Sequence, residues 1–114
     1  MKRMKCVKVE KKGGISWVWL NRPEKRNAMS PQLHSEMDET LRELETDPET
    51  AVVVIAGAGG YFSAGQDLKE FFRENEKNPA GRKLAAEQAN RWRWERLYKY
   101  DKPTIAMVEG FCVG

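Results

Sequence analysis

Residues 52–70 read VVVIAGAGGYFSAGQDLKE, an apolar run that gives way abruptly to glycines and small residues. The run from Ala51 to Ala56 is continuous and β-branched at its centre, the composition of a strand covered on both faces. Gly57 to Gly60 turns the chain. Ser63, Ala64 and Gly65 then lead into a helix start at Gln66-Asp67, where Asp67 is able to cap a short helix to about Arg73. Such a junction leaves the first helical amides unpaired and aimed outward, with the positive end of the helix dipole behind them. It is a place for an anion or an oxyanion. The competing reading is an ordinary strand-to-helix turn whose small residues serve packing, and the residues alone leave both readings open.

Working outward, the chain alternates from Val7 towards Gly13-Gly14 and then runs Ile15 to Leu20, the pattern of two strands in a hairpin. Asn21-Arg22-Pro23 ends the second strand. Ser30-Pro31 predicts a helix start, a hydroxyl cap followed by proline in the first turn. Leu33, Met37, Leu41 and Leu44 follow on one helical face, and Asp47-Pro48 stops the helix. Beyond Gly81 a long helical segment is expected to about Tyr100, then an apolar strand from Thr104 to Val108. This order predicts an α/β fold of buried strands with covering helices.

Composition narrows the function. The 20 Lys and Arg against 17 Asp and Glu give a net charge of +3, spread without the single-sign block of a nucleic-acid arm. Cys6 and Cys112 have no companions at disulfide-framework or zinc-ligand spacing, which suits a reducing cytoplasm. No apolar stretch reaches the length of a signal peptide or the roughly 20 residues of a membrane span. The chain is expected to be soluble and untargeted.

Several near-motifs fail on chemistry. Gly60 and Gly65 have P-loop spacing, but Gln66-Asp67 stands where Lys and a hydroxyl would hold phosphate and magnesium. Tyr61-x-Ser63-x-Gly65 lacks the first glycine of a nucleophile elbow. The one histidine, His34, sits beside Leu33 on the first helix and is expected to be solvated rather than a triad base. Gly57-x-Gly59 lacks the third glycine of a dinucleotide fingerprint, Phe62 being in its place. In residues 90–96, NRWRWER, cations alternate with aromatics as on a single-strand nucleic-acid platform. On a helix Trp92 and Trp94 point about 200° apart, so they form no common stacking surface. Trp94, Leu97 and Tyr98 share a face and are expected to be helix core or pocket wall.

LNRPEKRNAMS (residues 20–30), the quoted run at 52–70 and KPTIAMVEGFCVG (residues 102–114) together resemble the amino-terminal part of the crotonase family of enoyl-CoA hydratases and isomerases. Within it, RPEKRNAMSP, DLKEFFRE and RWRWERLYKYDKPTIAMV are similar to the hydroxycinnamoyl-CoA, or feruloyl-CoA, hydratase-lyases. The resemblance implies the crotonase-like ββα spiral, with residues 1–114 as the amino-terminal segment of a single domain. It implies an acyl-CoA substrate, no metal or redox cofactor, no nucleic acid, no membrane, and a homo-oligomer of three or six chains. By the same resemblance the Gln66 backbone N–H donates to the thioester oxygen, its side chain being incidental. Ala64 and Leu68 line the bound CoA, Lys25 reaches the adenosine diphosphate end, and Arg26 is a weaker candidate for those phosphates.

Two departures qualify what the resemblance implies. Gly114 matches the first glycine of a run whose second supplies the other oxyanion donor, so that donor and the family's catalytic carboxylate are expected beyond residue 114. Asp67 and Glu70 do not replace the carboxylate, because their places suit capping and surface pairing. Phe71 stands where the lyases carry a tyrosine able to meet a phenolic hydroxyl, and a buried phenol without its hydrogen bond loses about 1–3 kcal/mol. The alternatives are a hydratase or isomerase of fatty acyl-CoA, and a non-catalytic CoA-binding subunit.

Overall fold

A computed structural model gives the fold and describes residues 4–67, 69, 79–110 and 112. The short helix expected from Asp67 to Arg73 falls largely outside the described residues, and Leu68, Glu70, Phe71 and Gly114 lie outside them altogether. Strands β1 (Val7–Lys12) and β2 (Ile15–Leu20) pair antiparallel across Gly13-Gly14, as the alternation predicts. Strand β3 (Val52–Gly57) joins β2 in parallel, and β4 (Thr104–Met107) joins β3 in parallel, giving the sheet order β1-β2-β3-β4.

Helix α1 (Pro31–Glu45) makes the connection between β2 and β3 and packs its apolar stripe on the sheet. The Ser30 hydroxyl accepts from the Leu33 N–H at 3.2 Å, so the expected cap is formed. At the other end the Lys102 ammonium donates to the carbonyls of Leu44 and Asp47, each at 2.6 Å, supplying partners that a helix terminus lacks. Leu33, Met37, Leu41 and Leu44 form one core with Val18, Leu20, Val53 and Ile55, all of them buried. Burying side chains of this size contributes roughly 1.5–3 kcal/mol each before the entropy of ordering is subtracted. The core between α1 and the sheet is therefore what fixes the strand ends in space.

Three expectations change. The second helix starts at Pro79 and runs to Asn90 (α2), then continues as a π-helical turn over Arg91–Arg96. On that turn Trp92 is the buried residue, packed against α1, whereas Trp94 is 68% exposed and Tyr98, beyond the turn, is 85% exposed. The face carrying Trp94 and Tyr98 is thus not core; Ala89 and Trp92 are buried, and only Leu97 of the expected trio packs against the core. Finally, β4 is a strand as expected and lies at the edge of the four-stranded sheet, and each of its residues is exposed.

Candidate functional site

Parallel pairing carries the carboxyl ends of β2, β3 and β4 to one edge of the sheet, and the loops that follow them meet there. This is the edge at which α/β sheets bind ligands. The chain leaves β3 through Gly57, where an added Cβ would stand 1.8 Å from the Tyr61 carbonyl oxygen and 2.5 Å from that of Phe62. No side chain fits at that crossing. The loop then touches the segment after β4, the Phe62 N–H donating to the Glu109 carbonyl at 2.7 Å and Ser63 bridging to Cys112.

Asn27 fastens the loop after β2 to the loop after β3. It is fully buried with a left-handed backbone, φ 57°, a conformation that asparagine tolerates better than most residues. Its Nδ2 donates to the carbonyls of Ala58 and Tyr61 at 2.8 and 2.9 Å, while its Oδ1 accepts from the Arg22 N–H at 2.9 Å. Ser63, also buried, donates its hydroxyl to the Asn27 carbonyl at 2.8 Å and accepts from the Gly65 N–H at 3.0 Å. Its oxygen is committed to holding the turn, which agrees with its exclusion as a nucleophile. Arg22 adds an ion pair to Asp67 at 3.0 Å, with both side chains nearly buried, so Asp67 is paired inside the site's frame and not at the surface.

The amides of this turn can be accounted for one by one. Ala64 N–H donates to the Arg26 carbonyl at 3.0 Å, Gly65 N–H to Ser63, and Asp67 N–H to the Met29 carbonyl at 2.9 Å. Met29 N–H in turn donates to the Gly65 carbonyl at 2.7 Å, which makes Met29 and Gln66 a parallel bridge. In that geometry the residues flanking Gln66 face Met29, and the N–H of Gln66 faces away. Among the described residues no acceptor meets it. Gly65 allows the bend, having φ +95°, which residues with a Cβ rarely adopt.

The Gln66 side chain is also engaged. Its Oε1 lies 2.9 Å from Nε2 of His34, and the Trp92 Nε1–H donates to Nδ1 of the same imidazole at 3.0 Å. An indole N–H only donates, so Nδ1 is the acceptor and the proton of the neutral ring sits on Nε2, donating to Gln66. Burial holds the imidazole below its ordinary value of 6.5, with Arg93 adding to the effect and the Gln66 hydrogen bond opposing it. His34 is therefore wholly buried and doubly bonded, not solvated. The helical pattern placed it beside the apolar stripe but gave no sign of Trp92, which closes over it from a distant part of the chain.

Of the other anticipated residues, Lys25 and Arg26 are exposed on the loop after β2, Lys25 closing a short 3-10 turn at Pro23–Lys25. Exposed Ala64 is drawn to that loop through the Arg26 carbonyl. The frame thus brings Lys25, Arg26, Ala64 and Gln66 to one edge of the sheet. A cavity of about 340 Å³, lined by Met4, Val9, Lys11, Thr40, Glu43, Leu44 and Asp47, lies at the opposite end of α1. Among the described residues no group of three His, Cys, Asp or Glu could hold a metal ion, and no helix is long and apolar enough to cross a membrane.

Comparison with known proteins gives a consistent result. Residues 10–114 match the family model described as enoyl-CoA hydratase/isomerase. The chain is 52% identical over 113 residues to a hydroxycinnamoyl-CoA hydratase-lyase of Pseudomonas fluorescens, covering 98% of this chain and 41% of that protein. It is 40% identical over 110 residues to a putative enoyl-CoA hydratase of Thermus thermophilus, covering 91% and 40% respectively. Among solved structures, an enoyl-CoA hydratase from Shewanella pealeana superposes with a TM-score of 0.83 at 28% identity, over 95% of this chain and 40% of that one. The chain spans about two-fifths of the length of these relatives.

Proposed function

Since the chain belongs to the enoyl-CoA hydratase/isomerase family, we propose that its Gln66 N–H is one of two donors to the thioester oxygen of an α,β-unsaturated acyl-CoA. The observation that carries this reading is the amide count: Gln66 has the one N–H between Ala64 and Asp67 that no described residue uses. A donor preorganised in this way is typically worth ~3–4 kcal/mol in the transition state, whereas an exposed cation contributes at most about 1 kcal/mol. The backbone amide therefore outranks Lys25 and Arg26, whose part is to meet the phosphates of CoA. Ala64 and Leu68 border the CoA. Residues 1–114 supply one half of the oxyanion site, and the second donor and the catalytic carboxylate belong to the rest of the protein.

In the reaction proposed, the oxygen of water bonds to the β-carbon and a proton is delivered to the α-carbon, the thioester oxygen carrying enolate charge between. The lyase step then removes the proton of the β-hydroxyl and breaks the bond between the α- and β-carbons. An aromatic aldehyde leaves, and the acetyl-CoA enolate takes a proton at carbon. Both enolates place negative charge on the same oxygen, so one pair of donors serves both steps. The 52% identity to a relative named for hydroxycinnamoyl-CoA supports that acyl class. The trimeric or hexameric cytoplasmic assembly implied by the resemblance belongs to the same proposal.

Phe71, in place of a tyrosine that would meet a phenolic hydroxyl, favours a second reading in which the acyl group is not hydroxycinnamoyl and the enzyme is a hydratase or isomerase of fatty acyl-CoA. Incubating the full-length enzyme with feruloyl-CoA and separately with crotonyl-CoA distinguishes the two. Aromatic aldehyde and acetyl-CoA in equal amounts support the lyase. Hydration of crotonyl-CoA without aldehyde from feruloyl-CoA supports the second reading, and no reaction with either thioester contradicts both.

A further inference from the structure

The Gln66 side chain, to which the oxyanion reading assigns no part, is the end of a buried relay that begins on the π-helical turn. Trp92 Nε1–H donates to His34 Nδ1 at 3.0 Å, and His34 Nε2–H donates to Gln66 Oε1 at 2.9 Å. Trp92 is 4% exposed and His34 fully buried, so both ends of the imidazole are shielded from water that could substitute for either bond. The direction of each bond follows from the indole, which only donates. The backbone at Gln66 is held from the other side by Met29, through the Gly65 carbonyl and the Asp67 N–H. Between these two attachments the peptide plane carrying the Gln66 N–H has little freedom to rotate.

We propose that His34 is a positioning residue for the oxyanion site, holding Gln66 by its side chain so that the Gln66 backbone N–H keeps one direction. This rests on the reading of that N–H as a donor to the thioester oxygen. The relay explains why a polar helix residue is buried beside the apolar stripe of α1, and why the buried indole of Trp92 has its partner there. Helical segments of π form recur at functional sites, and here that turn delivers the indole to His34. A hole whose donors are already aimed needs no reorganisation during the reaction, which is the source of its effect.

The test uses the full-length enzyme and four variants: Gln66→Met, which keeps the N–H and removes the acceptor, His34→Ala, His34→Gln, and the double variant His34→Ala/Gln66→Met. Two readouts are taken, steady-state kinetics and the infrared carbonyl band of a bound acyl-CoA labelled with carbon-13 at the thioester. In the unaltered enzyme the band moves to lower frequency on binding. In Gln66→Met and His34→Ala it moves part of the way back, and kcat falls about fivefold with KM within about twofold, the scale of one lost hydrogen bond. His34→Gln, which can still donate to Gln66, regains most of the loss. The double variant is no worse than either single one, since both changes cut the same link. Because His34 is buried, Gln66→Met keeps the test decisive even where His34→Ala fails to fold. An unshifted band in the unaltered enzyme overturns the oxyanion reading itself. A shifted band that Gln66→Met leaves unchanged, with kcat unchanged, overturns the positioning role alone.

Discussion

The hydroxyl of Ser63 donates to the backbone carbonyl of Asn27 at 2.8 Å, joining loops that follow two adjacent parallel strands. Asn27 returns the connection by donating to the carbonyls of Ala58 and Tyr61. Replacing Asn27 with alanine leaves those two carbonyls and the Arg22 N–H without their partner, and leaves a Cβ-bearing residue in the left-handed region without the local bonding that favours it. The expected loss of stability is about 2–4 kcal/mol, read from chemical denaturation of the full-length protein. Asn27→Gly, which relieves only the backbone strain, is expected to recover about 1 kcal/mol of that loss. Equal stability of Asn27→Ala and the unaltered protein would contradict the account of the loop junction.

Gly57→Ala is expected to be far more damaging than a glycine substitution in an open turn. Its Cβ would overlap the carbonyl oxygen of Tyr61, a backbone atom that cannot yield without reopening the turn to Gln66. Gly13→Ala is the control, because nothing lies within 4 Å of the added carbon and only the strain of φ +59° remains. The control should lose about 1 kcal/mol, with Gly57→Ala giving little folded protein or a melting temperature lower by more than about 10 °C. Similar melting curves for both variants would contradict the packing described at the end of β3.

The buried imidazole gives stability a pH dependence with a definite sign. Its proton affinity is lowered in the folded state, chiefly by burial, so below pH 6.5 the unfolded chain takes up a proton that the folded chain refuses. The stability contributed by neutral His34 is complete above pH 6.5 and is lost as the pH falls from there towards the lower folded value. Thermal melts of the full-length protein between pH 7 and pH 5 should therefore fall more steeply than those of His34→Gln, which has no imidazole at that position. Parallel curves would show that His34 is not held neutral by its surroundings.

Much of this architecture is legible in the sequence because it is set by local pattern. The alternation around Gly13-Gly14, the Ser30-Pro31 start with Leu33, Met37, Leu41 and Leu44 behind it, and the apolar run of β3 each report on residues a few positions apart. The site is only half legible. Ser63, Ala64 and Gly65 signal a tight turn into exposed amides, yet the function of Asn27 depends on carbonyls at Ala58 and Tyr61 that its neighbours do not reveal. His34 is hidden for the same reason: a histidine at the margin of an apolar stripe looks solvated until Trp92, 58 residues later, is known to cover it. Trp94 and Tyr98 show the converse error, since helical periodicity groups them with Leu97 but cannot say which face meets α1.

The most direct test of the Gln66 amide as an oxyanion donor compares Gln66→Ala with Gln66→Pro in the full-length enzyme, each first shown to be folded by circular dichroism and a thermal melt. Alanine keeps the backbone N–H and gives up only the hydrogen bond to His34, so kcat should fall by less than about tenfold, or ~1.4 kcal/mol. Proline removes the donor, and the expected loss is roughly 10²- to 10³-fold, as for other oxyanion donors. If the two folded variants lose activity equally, the side chain and not the backbone amide is the active group, and the assignment of Gln66 to the oxyanion site is contradicted.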